Sequence, residues 1–118
     1  MIKGTLLIVD DNNGILNALK MVMQDEFEKV IAITDPNRIN EILRKQDVDI
    51  VMLDMNLKSG SRNGNEGLFW MREIFIYDSN ISVVIVTAFG DIELAVKAIK
   101  EGAVDFILKP WDNSKLLA

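Results

Sequence analysis

Hydrophobic residues are concentrated in five short runs with little polar alternation. The runs are Thr5 to Val9, Val30 to Thr34, Asp49 to Leu53, Ile81 to Thr87 and Val104 to Leu108. Most are rich in Val, Ile and Leu, which is typical of strands that are buried on both faces of a parallel sheet. The pattern therefore predicts five internal strands.

The segments between these runs carry apolar residues at helical spacing, with one stripe in each segment. The stripes are Ile15, Leu16, Leu19, Val22 and Met23; Ile39, Ile42 and Leu43; Leu68, Met71, Ile74 and Phe75; and Ile92, Ala95, Val96 and Ile99. Asp35-Pro36 and Asp91 are helix start signals, and Gly102 is a stop signal. Only Asn113 to Ala118 remain for a fifth helix, which we expect to be truncated.

Strands and helices alternate along the whole chain. Repeated βα units with right-handed crossovers form a doubly wound sheet, and five strands most economically adopt the flavodoxin-like order 2-1-3-4-5. A Rossmann half-domain is disfavoured because no G-x-G-x-x-G motif follows the first strand. A chain of 118 residues fits one domain, spanning 1–118, with Lys58 to Glu66 as its one long polar loop.

Charge and missing residue types narrow the chemistry. The net charge of -5 argues against direct nucleic-acid binding, since phosphate backbones attract basic faces. The chain has no Cys or His, which excludes thiolate and imidazole ligands, so a metal would be held by oxygen atoms and Mg²⁺ is the leading candidate. No run is long enough to span a membrane and the first residues do not resemble a signal peptide, so we expect a cytoplasmic protein.

Acidic residues follow two of the central strands directly. Asp10 and Asp11 follow the first strand, and Asp54 follows Leu53 of the third. In an open α/β sheet, ligands bind beyond the carboxyl ends of the strands where the strand order reverses, which here lies between these two strands. A single such acid most often caps the next helix. Three converging carboxylates favour a magnesium site instead.

The fourth and fifth strands end in Thr87 and Lys109. Taken alone, Thr87 is an ordinary strand residue and Lys109 an ordinary solvated terminus. Together, a hydroxyl and an ammonium group that face carboxylates and a dication are suited to binding the oxygens of a phosphoryl group.

Four motifs at the strand ends together resemble the signature of response regulator receiver domains, the CheY-like phosphoacceptors of bacterial two-component systems. They are Leu6-Leu7-Ile8-Val9-Asp10-Asp11, Val51-Met52-Leu53-Asp54, Val84-Ile85-Val86-Thr87-Ala88 and Phe106-Ile107-Leu108-Lys109-Pro110. Each motif alone is weak, but the four in this order span nearly the whole chain.

The resemblance implies a phosphoacceptor and its metal ligands. Asp54 would be the nucleophile that takes a phosphoryl group from the phosphoimidazole of a histidine kinase. Asp11 would bind Mg²⁺ directly, together with Asp54. Asp10 would bind it mainly through water, and Asn56 through its backbone carbonyl.

The resemblance also implies how the signal would spread. Thr87 and Lys109 would hold the phosphoryl oxygens, small Ala88 would leave room for the phosphate, and the Lys109-Pro110 bond would be cis. Phe106 takes the position of the switch aromatic, which would fill the space that Thr87 vacates on phosphorylation. An ordinary core aromatic is the alternative interpretation of Phe106.

The segment Thr87-Ala88-Phe89-Gly90-Asp91 and its downstream neighbours are similar to receivers of nitrogen-regulation-type transcription activators. Those proteins add an AAA+ ATPase and a DNA-binding domain, so the resemblance implies a transcriptional output domain that this chain does not contain. Two features depart from the common pattern, namely the longer loop after Asp54 and Lys58 in place of a usual proline. The loop either gates access to the acceptor or is a tolerated surface insertion.

The fourth helix is the candidate output surface. We expect the stripe of Ile92, Ala95, Val96 and Ile99 to face the core, which would turn Leu94 and Ala98 away from it. With the fifth strand and fifth helix, and with Phe106 and Trp111 nearby, this side of the molecule would contact an output domain or a second copy in a homodimer.

Three other functions compete with this interpretation. A phosphohydrolase with an Asp nucleophile usually has an Asp-x-Asp pair and a cap domain, which this chain lacks. A flavodoxin-like binding module would need a phosphate-binding loop where Asp10 and Asp11 stand. A degenerate receiver would have lost part of the acid, hydroxyl and lysine set, which is complete here.

Overall fold

The computed structural model describes residues 2–55, 65–88 and 92–109 of the chain. Its strands are β1 (Ile2–Val9), β2 (Phe27–Ile33), β3 (Ile50–Asp54), β4 (Ser82–Ala88) and β5 (Asp105–Lys109). Its helices are α1 (Asn13–Met23), α2 (Ile39–Lys45), α3 (Asn65–Tyr77) and α4 (Ile92–Lys100), with a short 3₁₀ turn (Pro36–Arg38) before α2.

The strands form one parallel sheet in the order β2-β1-β3-β4-β5. This order confirms the predicted flavodoxin-like fold. The truncated fifth helix and the Lys109-Pro110 bond lie outside the described residues, as does most of the predicted polar loop. The predicted end of that loop is wrong, because α3 begins at Asn65 and its first turn includes both Asn65 and Glu66.

The sheet is covered on both faces, which explains why its strands lack polar alternation. Leu7 and Val9 of β1 point into a cluster shared with α2, α3 and α4, while Leu6 and Ile8 point into a second cluster built with α1. All four side chains are buried. Because successive residues of a strand alternate between faces, burial on both sides requires a continuous apolar run.

The predicted boundary signals are partly confirmed. The side chain of Asp35 accepts a hydrogen bond from the backbone N–H of Asn37 and caps the 3₁₀ turn. Gly102 has a φ of 124°, and its N–H bonds to the carbonyl of Ile99 while that of Ala103 bonds to Ala98. This is a Schellman motif, in which glycine adopts the left-handed conformation at low cost. Asp91 lies outside the described residues.

The predicted orientation of α4 is wrong. Ala95 and Ala98 are fully buried and Leu94 packs against the core, whereas Ile92, Val96 and Ile99 are between 38% and 47% exposed. Isoleucine and valine are more hydrophobic than alanine, so the sequence pattern predicted a buried stripe centred on the larger residues. The structure instead brings the helix close to the sheet through its smallest side chains, which leaves the larger ones facing solvent.

Within the three described segments, we find no helix that combines the length and the apolar character needed to cross a membrane.

Candidate functional site

The carboxyl ends of four neighbouring strands lie side by side. Val9 of β1 pairs with Leu53 of β3. Asp54, which ends β3, pairs with Val86 of β4. Ala88 of β4 pairs with Lys109 at the end of β5. The strand register therefore brings the residues at these ends to a single edge of the sheet.

Three carboxylates converge at this edge, as predicted. One oxygen each from Asp10, Asp11 and Asp54 lies within 4.8 Å of the other two. Asp10 and Asp54 are only 1% and 2% exposed, and Asp11 is half-buried. Like charges this close and this poorly hydrated repel one another, which favours binding of a cation.

The capping alternative does not account for these acids. The residue that caps α1 is Asn12, whose side-chain oxygen accepts from the N–H of Ile15 at 3.1 Å. Asp10 Oδ1 accepts from the N–H of Asn12 at 2.9 Å and so shapes the turn that leads into the helix. The sequence analysis missed the cap on Asn12, although Asn at this position is a common signal.

Lys109 places one ammonium group between two of the carboxylates. Its Nζ donates a hydrogen bond to Asp54 Oδ1 at 3.2 Å and lies 3.3 Å from Asp10 Oδ2. The second contact is an ion pair without the angle of a hydrogen bond, so Asp10 Oδ2 is left without a hydrogen-bond partner in the described part of the chain. Three carboxylates and one ammonium leave a charge of -2 among these four side chains.

The environment of Asp10 opposes its ionisation. Burial raises the pKa of the Asp10 carboxyl above its ordinary value, and the charge of Asp54 acts in the same direction. The N–H of Asn12 and the ammonium of Lys109 act in the opposite direction. Burial has the largest effect, so a further cation at this edge would relieve a real electrostatic cost.

Thr87 contributes a buried hydroxyl that lacks a hydrogen bond. The residue is fully buried near the end of β4, and among the described residues its Oγ1 has no hydrogen-bond partner. A buried polar group without a partner costs about 1–3 kcal/mol, so such groups in native proteins call for an explanation. A ligand bound at this edge would give Thr87 Oγ1 and Asp10 Oδ2 the hydrogen-bond partner that the described residues do not provide.

The remaining predicted residues are Phe106, Asn56 and Ala88. Phe106 of β5 is half-buried and packs against the cluster that includes Leu94 of α4. Asn56 lies outside the described residues, and for Ala88 only the backbone is described. Sequence analysis also gave no role to Gly67, although its backbone lies against Met55, the residue that follows Asp54.

The donor set fits Mg²⁺. Magnesium binds oxygen ligands and is usually held by one or two carboxylates together with water and phosphate oxygens. Three acidic side chains at one edge, two of them almost fully buried, provide such ligands with a charge that a dication would neutralise.

Comparison with known proteins identifies the class. The family model described as response regulator receiver domain matches residues 6–118. This chain therefore belongs to the receiver domain family of two-component response regulators. Members of this family are phosphoacceptors in signalling, bind Mg²⁺ at an acidic pocket and interact with histidine kinases.

Individual relatives support this assignment. A signal receiver domain of a response regulator from Bacteroides fragilis is 46% identical, with a TM-score of 0.88, and the match covers 99% of this chain and 92% of that one. Sporulation initiation phosphotransferase F of Bacillus subtilis is 30% identical over 98% of this chain and 90% of its own length.

A third relative places the match within a longer protein. The alginate biosynthesis transcriptional regulatory protein AlgB of Pseudomonas putida is 35% identical over 97% of this chain, but the match covers only 24% of AlgB. The chain thus spans about a quarter of the curated transcriptional regulators it matches. The predicted similarity to receivers of nitrogen-regulation-type activators is confirmed.

Proposed function

We propose that this receiver takes a phosphoryl group onto Asp54 from a histidine kinase in a reaction that requires Mg²⁺. The observation that carries the proposal is the edge itself, where Asp54 lies against Lys109 and one of its oxygens lies within 4.8 Å of oxygens of Asp10 and Asp11. The phosphotransferase named among its relatives supports a phosphoryl-transfer role.

The chemistry is a single displacement at phosphorus. A carboxylate oxygen of Asp54 forms a bond to phosphorus, the P–N bond to the kinase imidazole breaks, and the leaving imidazole retains the electron pair of that bond. The products are an acyl phosphate on this chain and a neutral histidine once its nitrogen is protonated. The domain is a signalling switch that promotes its own phosphorylation and slow dephosphorylation, and it does not turn over a metabolite.

Each residue at the edge has a distinct role in this proposal. Asp11 and Asp54 would hold the ion directly, Asp10 mainly through water and Asn56 through its backbone carbonyl. When bound, Mg²⁺ neutralises charge on the carboxylates and on the phosphoryl oxygens. Lys109, which now donates to Asp54, is positioned to donate to a phosphoryl oxygen on the same carboxylate.

The buried hydroxyl links the acceptor to the surface. Thr87 would donate its unused hydrogen bond to a phosphoryl oxygen, which would draw the side chain towards Asp54 and leave space for Phe106. Ala88 would keep the approach to the phosphate open. Phe106 packs against the core cluster that contains Ala95 and Ala98 of α4, so its movement would be passed to α4 through that cluster.

The output surface follows from the corrected orientation of α4. Ile92, Val96 and Ile99 form an exposed apolar stripe, and Val104 before β5 is 60% exposed. We infer that this side of α4 and β5, with the fifth helix, contacts an output domain or a second copy after phosphorylation. Substitution of Ile99 by Lys is expected to weaken phosphorylation-dependent self-association in analytical ultracentrifugation; Lys20→Glu, on the exposed side of α1, provides the control.

The parent protein would be a cytoplasmic transcriptional regulator in which 1–118 is the input domain. The similarity to AlgB, a transcriptional regulatory protein, supports this inference. The acidic balance of this segment, with a net charge of -5, indicates that DNA contact would fall to the output domain.

The central test is phosphorylation with a small donor. Incubation with acetyl phosphate and Mg²⁺ is expected to add one phosphoryl mass to the wild type and to Asp25→Asn, but not to Asp54→Asn. Asp25 is an exposed acid in the turn before β2, at the opposite edge of the sheet. Absence of a mass gain in the wild type, with beryllofluoride also without effect, would contradict the proposal and favour a degenerate receiver.

A further inference from the structure

The start of α3 lies unusually close to the end of β3. If Gly67 carried a Cβ, that atom would lie 2.6 Å from Cα, 3.0 Å from the carbonyl oxygen and 2.8 Å from Sδ of Met55. Real Cβ atoms do not approach backbone this closely, so any larger residue would force a displacement. Among the described residues only Gly4 and Gly102 have positive φ. Glycine is therefore required at position 67 because it has no side chain, and not because its backbone conformation demands glycine.

Met55 has little freedom to yield. Its side chain is fully buried, and its N–H donates to the carbonyl of Val86 at 2.9 Å. The preceding residue is Asp54, which pairs with the same Val86 across β4. A shift of the backbone at Met55 would therefore move the carboxylate of Asp54 relative to Lys109 and to the other acids.

We infer that Gly67 is a positioning residue for the phosphoacceptor. The contact lets α3 lie directly on the backbone of Met55 and so fixes the end of β3, from which the Asp54 carboxylate projects. The chain leaves the sheet at Met55 and returns to the same backbone at Gly67. The separation of these two points is thereby set by direct contact. This inference rests on the proposed function, since it concerns the same site.

The test is a magnesium titration of Gly67→Ala followed by ¹⁵N amide shifts. We expect the dissociation constant for Mg²⁺ to rise about ten-fold, the lower end of the losses seen when groups that orient metal ligands are changed. The amide of Met55 should shift before any metal is added. Ile74→Val is the matched control, because it removes buried volume about two turns along the same helix from Gly67 and should leave the dissociation constant unchanged.

A double variant separates backbone from side-chain effects. Met55→Ala removes Sδ but keeps Cα and the carbonyl oxygen, so it should not restore magnesium affinity to Gly67→Ala. Full restoration, or an unchanged dissociation constant in Gly67→Ala, would overturn the inference. If Gly67→Ala is unfolded in buffer, it and the wild type are titrated in trimethylamine N-oxide, which favours the folded state. A wild type that binds no Mg²⁺ would instead refute the proposed function.

Discussion

Acidic residues lie at both edges of the sheet, in different environments. At the carboxyl edge, Asp10, Asp11 and Asp54 converge, two of them almost fully buried, and the ammonium of Lys109 contacts Asp10 and Asp54. At the opposite edge, Asp47, Asp49 and Asp78 line an open cavity, and all three are exposed.

Two of the acids at this opposite edge, the amino edge of the sheet, have ordinary structural partners. Asp49 Oδ2 accepts from the N–H of Thr5 at 2.9 Å, and Asp78 Oδ1 accepts from the N–H of Asn80 at 2.9 Å. Water hydrates their remaining oxygens, so their charges cost little. The comparison teaches that a count of acids does not define a metal site. Convergence together with burial distinguishes the acids at the carboxyl edge.

The largest effect is expected for Lys109→Met, which removes the ammonium from the buried carboxylates. We expect the free energy of unfolding without metal to fall by about 2 kcal/mol, less than for a fully buried pair because Lys109 is 20% exposed. Urea denaturation measures this loss. Lys29→Met, which breaks an exposed hydrogen bond to Gln46, is the control, and an equal loss there would remove the distinction between the edges.

Asp10→Asn should have a smaller effect of opposite sign. Its raised pKa means that the folded state binds the proton more tightly than the unfolded state, so stability is fully present below pH 3.8 and is lost as pH rises through the folded pKa. The neutral amide avoids this loss and should stabilise the metal-free protein at pH 7 by about 1 kcal/mol.

This gain should disappear below pH 3.8, and added Mg²⁺ should stabilise the variant less than the wild type. Urea denaturation at both pH values provides the measurement. Asp49→Asn at the other edge should show neither behaviour. A gain that persists in acid would indicate that the charge of Asp10 is not its cause.

The smallest effect is expected for Asp78→Asn, an isosteric change at the exposed edge. The amide oxygen can still accept from Asn80, so stability should change by less than about 0.5 kcal/mol. The magnesium concentration at half-maximal stabilisation in thermal melts should be unchanged. A shift in that midpoint would mean that the amino edge also binds the ion.

Sequence reasoning predicted the sheet order and the convergence of the acids because both follow from position. A residue that follows a parallel strand must lie at the carboxyl edge, whatever its neighbours are. The contact of Lys109 with Asp54 and with Asp10 depends on side-chain conformations that no spacing specifies. The sequence also did not predict the role of Gly67. A close approach between the end of β3 and the start of α3 depends on both elements, and it leaves no recognisable pattern in the sequence of either.

The orientation of α4 failed for a different reason. Periodicity identified an amphipathic helix. Residues 92, 96 and 99 lie on one face, and residues 95 and 98 lie on the adjacent face. Both faces are apolar, and they differ only in the size of their side chains. Hydropathy favours the larger residues as the buried face, whereas close packing on the sheet required the smaller ones. For α2, helical spacing alone was sufficient to predict the buried face, because Ile39, Ile42 and Leu43 form a single buried face.

Its alanine face makes α4 easy to relocate. To move, α2 would have to withdraw two isoleucines and a leucine from the interior, whereas α4 would displace two alanines and the partly buried Leu94, so the work required is smaller. The Schellman turn at Gly102 closes its carboxyl-terminal end. We therefore expect a modest change of free energy at the acceptor to be enough to reset the position of this helix, whose large apolar side chains already face outward.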